Sequence, residues 1–103
     1  MAARVLLLIS LAACGAPNVG AACGGNASCD DGLVCNSAFT GGYCTKACTV
    51  TGTQSGCPEG SICDSVTGAG TVCVAICKTT VDCRSPLECN GVSGSNVKAC
   101  KPK

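Results

Sequence analysis

Cysteine spacing constrains this chain more than any other feature. From Cys23 onward there are twelve cysteines, at 23, 29, 35, 44, 48, 57, 63, 73, 77, 83, 89 and 100. The intervening gaps are 5, 5 and 8 residues, then 3, then 8, 5 and 9, then 3, then 5, 5 and 10. They divide into three four-cysteine units joined by three-residue links: Cys23, Cys29, Cys35 and Cys44; Cys48, Cys57, Cys63 and Cys73; Cys77, Cys83, Cys89 and Cys100. The second-to-third gap is five in every unit, and the first and last gaps vary, as loops that tolerate insertion do. Flanking residues repeat with the cysteines. Gly32-Leu33-Val34-Cys35-Asn36 aligns with Gly60-Ser61-Ile62-Cys63-Asp64 and with Pro86-Leu87-Glu88-Cys89-Asn90. Each has a turn former, two residues, Cys, then Asn or Asp. Units beginning at Cys23, Cys48 and Cys77 repeat after 25 and 29 residues, the mark of a modular array.

These thiols are expected to form disulfides. Structural zinc sites favour cysteines two to four residues apart, usually paired with further Cys or His. The units contain no C-x-C, no C-x-x-C and no adjacent pair, and the chain has no His. No metal and no other cofactor is expected. Thirteen cysteines in 103 residues exceed the ~8–10% that marks a disulfide scaffold in a short secreted chain. The need for bridges follows from the poor supply of apolar bulk. The first unit offers Leu33, Val34, Phe39 and Tyr43, the last two being the only Phe and the only Tyr. Each is worth ~1.5–3 kcal/mol when buried, against ~1.5 kcal/mol for every residue ordered. A bridge closing about 15 residues adds ~3 kcal/mol in the chain-entropy model. Four cysteines allow three pairings, so bridges kept within units leave 3 × 3 × 3 = 27 arrangements. First-to-third and second-to-fourth pairing in each unit is preferred, because it crosses two loops and clamps a hairpin.

Turn formers locate the hairpins. In the first unit, residues 33–35 and 43–45 are extended, flanking a loop that ends in Gly41-Gly42. In the second, residues 61–63 and 71–76 flank a loop through Gly68 and Gly70; in the third, residues 87–89 and 97–100 flank Gly91 and Gly94. Extended runs bounded by Gly, Asn and Ser read as β-hairpins. The expected fold is therefore small and disulfide-rich: three tandem four-Cys modules of short β-hairpins and loops (23–47, 48–76 and 77–103), with little or no helix outside a signal peptide.

The N-terminus reads as that signal peptide. Arg4 supplies a positive start, residues 5–11 a short apolar stretch broken by Ser10, and Ala12 and Ala13 the small residues that follow. The run is far shorter than the ~20 apolar residues needed to span a bilayer. Leu11-Ala12-Ala13-Cys14 resembles the lipobox of bacterial lipoproteins. That resemblance implies a diacylglyceryl thioether on Cys14, cleavage just before it, and acylation of the new amine. It divides the leader into a signal at 1–13 and a lipidated Cys14 with a flexible tether through residue 22. Parity agrees, since assigning Cys14 to lipid leaves an even twelve. Several acyl chains anchor permanently where one is marginal. Gly15, rather than Asp, after the cysteine implies by analogy the outer membrane. The alternative is an ordinary signal, cut after Ala22, and a secreted product.

The repeated unit also resembles the short cysteine-rich modules of the Dickkopf N-terminal and EB types, and tandem units in predicted lipoproteins of myxobacteria and related soil bacteria. The likeness spans residues 23–103 and rests on cysteine spacing, a turn former and an Asn or Asp. It implies a fold and no receptor contact, because fold alone does not carry activity.

Composition excludes several functions. Without His there is no His-based triad and no switch near neutral pH. Without Arg4, six basic residues (Lys46, Lys78, Arg84, Lys98, Lys101, Lys103) balance six acidic ones (Asp30, Asp31, Glu59, Asp64, Asp82, Glu88), so there is no basic field for nucleic acid. From Cys77 onward five are basic and two acidic, read as a solvated tail. An enzyme is not expected: the thiols are committed to bridges, and Asp30-Asp31 reads as a solvated turn. The expected function is a non-enzymatic surface interaction or structural module, held to the membrane through its N-terminal lipid and facing an unidentified protein or envelope ligand. Its contact residues are sought at loop tips: Phe39; Thr67, Gly68 and Ala69; Ser93, Gly94, Ser95 and Asn96. Phe39 is either an exposed anchor or a cover over the local disulfides. The alternative function is a secreted protease inhibitor presenting Lys46 or Arg84. Asn26-Ala27-Ser28 is an N-glycosylation sequon, relevant only in a eukaryotic host.

Overall fold

The computed structural model describes residues 18–24 and 29–103. It is a small disulfide-rich β protein. The strands are β1 (Val34–Cys35), β2 (Cys44–Thr45), β3 (Ser61–Val66), β4 (Gly70–Cys77), β5 (Glu88–Gly91) and β6 (Lys98–Lys101), with a single 3-10 turn at Thr80–Asp82. Each unit contributes one antiparallel hairpin, and in each the third and fourth cysteines face one another across it: Cys35 with Cys44, Cys63 with Cys73, Cys89 with Cys100.

The six bridges are Cys23–Cys35, Cys29–Cys44, Cys48–Cys63, Cys57–Cys73, Cys77–Cys89 and Cys83–Cys100. Pairing is thus first-to-third and second-to-fourth in every unit. Partners are separated by 12 to 17 residues, loops for which a cross-link removes ~3 kcal/mol of unfolded-state entropy each. The two bridges of a unit lie side by side, with the sulfurs of Cys23, Cys29 and Cys44 all within 4.8 Å of one another. No bridge joins one unit to another, so noncovalent contacts must order the three.

Hairpin lengths differ from the sequence reading. The first ladder has only two pairs, Val34 with Thr45 and Cys35 with Cys44. The second runs six pairs, from Ser61 with Ala75 to Val66 with Gly70. It extends through Asp64 and Ser65, poor strand formers, because Ile62, Val66, Val72 and Val74 all become buried. Gly68 closes this hairpin at φ 84°, a conformation that side chains with a Cβ rarely adopt.

The units do not hang as beads. β4 pairs with β3 through Gly70–Ala75 and then with β6 at Ile76 and Cys77, giving a four-stranded sheet ordered β3-β4-β6-β5 across the second and third units. The first unit joins it through the Ala47–Val72 bridge, with Cys73 N donating to Lys46 O and Cys48 N to Thr71 O. One apolar cluster draws on all three units: Phe39 and Tyr43; Ile62, Val66, Val72 and Val74; Leu87, Val92 and Ala99. The Phe39 and Tyr43 rings stack with centroids 4.0 Å apart.

Residues 18–22, expected to be tether, belong to the folded body. Gly20 N donates to Cys44 O and Cys44 N to Ala21 O, both at 2.9 Å, and Val19 packs against the core. The second strand of a two-pair hairpin has an open edge, and unpaired backbone groups there need partners. Residues 18–24 supply them. Cys14, the signal and the sequon fall outside the described residues.

Candidate interaction surfaces

The residues singled out from sequence fall into two groups, those at joints between units and those on open surface. Phe39 is at a joint. It is 1% exposed, beneath the loop that carries it and against Tyr43, so it is not an exposed anchor. Its stacking partner explains why: the ring has a second aromatic four residues on, and together they are the largest buried side chains of the first unit.

Tyr43 is fully buried, and its hydroxyl connects all three units. It donates to Cys100 O and accepts from Ala75 N, each at 2.9 Å. Burial raises its pKa above the ordinary tyrosine value; the Ala75 N–H and nearby Arg84 pull the other way but less strongly. Thr45, also buried, donates its hydroxyl to Cys73 O.

Arg84 is neither an inhibitory residue nor a solvated charge. Its guanidinium reaches back to the first unit, donating to the carbonyls of Gly20 (3.3 Å), Thr40 (2.9 Å) and Gly42. Five donors in a planar fork suit such a set of carbonyls. Engaged in this way, the side chain is not free to enter a protease pocket. Lys46 sits in the ladder to β4 through its carbonyl, which holds its backbone away from the convex geometry of an inhibitory loop.

The C-terminal positive charges are partly consumed. Lys101 Nζ lies 2.7 Å from Asp64 Oδ2, with their side chains 18% and 3% exposed, and it also donates to Gly91 O. Lys103 Nζ approaches Glu88 at 3.9 Å. The tail is therefore tied down at Lys101 and solvated beyond it. Asp64 is the Asp of the repeated Cys-[Asn/Asp] position. Its counterpart Asn36 accepts from Ala38 N and donates to Ala69 O; Asn90 is exposed. The repeated residue thus serves local turns and joints rather than one shared site.

The remaining candidates lie on open surface. Thr67 and Gly68 at the β3–β4 tip are exposed, whereas Ala69 packs against the core. Ser93, Gly94 and Asn96 are exposed on the β5–β6 loop. This loop forms one wall of a groove of about 810 Å³, with Thr53 and Gln54 opposite and Ile62 and Ile76 on the floor. The walls touch below the opening, where a Cβ on Gly52 would meet Ser93 O at 2.7 Å. No charged side chain lines it. A second hollow, about 380 Å³, lies beside the N-terminal segment between Asn18, Asp30, Asp31, Pro58 and Glu59. Two features had no sequence signal. Val81 is 89% exposed on the 3-10 turn, and Asp82 fixes that turn by accepting from Lys78 N (2.9 Å) and Thr79 N (3.1 Å).

No family model matches the chain, and neither a curated protein nor a solved structure shows significant similarity to it. Function has to be argued from these surfaces.

Proposed function

We propose that the chain is an exported lipoprotein of the bacterial envelope, whose folded part is a non-catalytic interaction or structural module. The carrying observation is cysteine accounting. Six bridges consume every cysteine from Cys23 onward, and the one left over is Cys14, in Leu11-Ala12-Ala13-Cys14. A bridged fold matches an oxidising compartment. The three units form one body with a charge-free groove on its surface, a form suited to holding a shape rather than to moving protons. The secreted-inhibitor reading loses support, because both basic residues offered for it are held in joints between units.

The test is an intact mass of the membrane-extracted product from a Gram-negative host, before and after reduction with alkylation. The expected product begins at Cys14, carries lipid mass, and gains twelve alkyl groups only after reduction. A soluble product beginning near Cys23 without lipid would overturn the anchor.

A further inference from the structure

We infer that the body lies directly on the headgroup layer of its membrane, resting on the surface formed by Asn18, Asp30, Asp31 and residues 58–60, with its groove facing away. This rests on the anchoring reading and deepens it by naming the surface and its partner, a zwitterionic phospholipid layer.

The argument begins with reach. Docked structure starts at Asn18 and Val19, leaving only Gly15, Ala16 and Pro17 between it and Cys14. Four Cα–Cα steps span at most about 14 Å. A diacylglyceryl thioether holds Cys14 at the glycerol level, beneath a polar layer about 5–7 Å deep. Asn18 can therefore rise no more than about 7–9 Å above that layer, roughly one Debye length at physiological salt. A longer tether would leave the body free to tumble; this one does not.

Charge then selects the lipid. The hollow at Asn18 is lined by the carboxylates of Asp30, Asp31 and Glu59 and by no basic residue, and both aspartates and Glu59 are exposed. An anionic leaflet repels such a surface, whereas the ammonium groups of zwitterionic headgroups pair with it.

The sheet fixes what faces outward. A Cβ on Gly20 would meet the Ala75 Cβ at 3.0 Å, so Ala75 points toward the anchored segment. Successive residues of a strand point to opposite faces. Ile76 therefore points away, into the groove it lines with Asn96. At the other extreme, the six residues of β3 carry Thr67 roughly 20 Å from Gly60.

The experiment uses the full lipidated protein, its mass first verified, in phosphatidylcholine nanodiscs containing headgroup-spin-labelled lipid. Amide signals of Asn18 and Asp31 are expected to be lost, while those of Thr67 and Asn96 persist. Adding phosphatidylglycerol is expected to restore part of the lost signal. In the triple variant Asp30→Asn, Asp31→Asn, Glu59→Gln, that lipid dependence should vanish while the broadening stays. A product without lipid mass overturns both the anchor and this inference. A lipidated product with uniform broadening, or with Thr67 or Asn96 lost first, overturns the inference alone.

Discussion

Tyr43→Phe isolates the contact on which the union of the three units most depends. The substitution keeps the ring, and with it the stack on Phe39 at 4.0 Å. It deletes only the hydroxyl that donates to Cys100 O and accepts from Ala75 N. Neither backbone group has another partner nearby. Ala75 lies opposite Ser61, whose own N–H goes to Pro58 O, and Cys100 is 6% exposed. Leaving a buried polar group unpaired costs about 1–3 kcal/mol, so losing both partners should cost about 2–4 kcal/mol. Water reaching the half-buried Ala75 places the value toward the lower end. With a urea slope of about 1 kcal/mol/M, the low end for a small chain, the midpoint should fall by roughly 2–3 M. Because Tyr43 is the only Tyr and the chain has no Trp, fluorescence cannot follow the variant. Amide NMR under oxidising conditions can, and it reads each unit separately. Signals of Phe39, Val72 and Ala99, one from each unit, should disappear together in the parent and in the variant. A loss below about 0.5 kcal/mol would mean that the hydroxyl is dispensable. Separate transitions in the parent would refute the single body itself.

Four further outcomes follow from the same structure. Full reduction with the bridges kept open should unfold the chain, because each of six loops of 12–17 residues loses ~3 kcal/mol of constraint; retained amide dispersion after alkylation would contradict this. Gly42→Ala should destabilise by at least about 2 kcal/mol by urea titration, since Gly42 sits at φ 78° and a Cβ would lie 2.9 Å from Cys23 Sγ, Cys35 Sγ and Gly24 N; an unchanged midpoint would rule out that clash. Tyr43 has a raised pKa, chiefly through burial, so its contribution is complete below the unfolded value near 10 and is lost as pH rises through the folded one. Phenolate absorbance in rapid pH jumps should appear later than in a free tyrosine peptide. Asp82 has a lowered pKa, through the Lys78 N–H first and the Thr79 N–H second. Its contribution is present above the unfolded value near 3.9 and is lost as pH falls through the folded one; Asp82→Asn should abolish the acid-induced rise in Lys78 and Thr79 amide exchange.

What could be read from the sequence was whatever repeats or is local. Cysteine spacing located the units, and Gly68, Gly70, Gly91 and Gly94 located the turns of the second and third hairpins, because a turn needs particular residues in place. The crossed pairing could be anticipated because first-to-third and second-to-fourth bridges clamp a hairpin between them. The joints could not be read. Arg84 binds three backbone carbonyls of the first unit, and a carbonyl has no signature in sequence. Asp64 follows its cysteine like any turn residue, and only Lys101, 37 positions later, makes its burial tolerable. Phe39 in a hairpin loop looks the same whether it faces solvent or a neighbouring unit. Val19, one apolar residue in a Gly- and Ala-rich stretch, was the only hint that the leader docks.

The division has a physical cause. All six bridges close within units, so covalent constraint supplies each unit's shape but nothing of their arrangement. That falls to the scarce large side chains. The single Phe, the single Tyr and Arg84 are all found where units meet. Residues with many contacts are needed where two surfaces must hold without a bridge, whereas a four-cysteine unit already closed by crossed disulfides can be built from Gly, Ser, Thr and Ala. The outward loops are accordingly the least constrained by the fold. Thr67, Asn96 and the exposed Val81 touch no joint described above, so substitutions there can change what the surface presents without loosening the body that presents it.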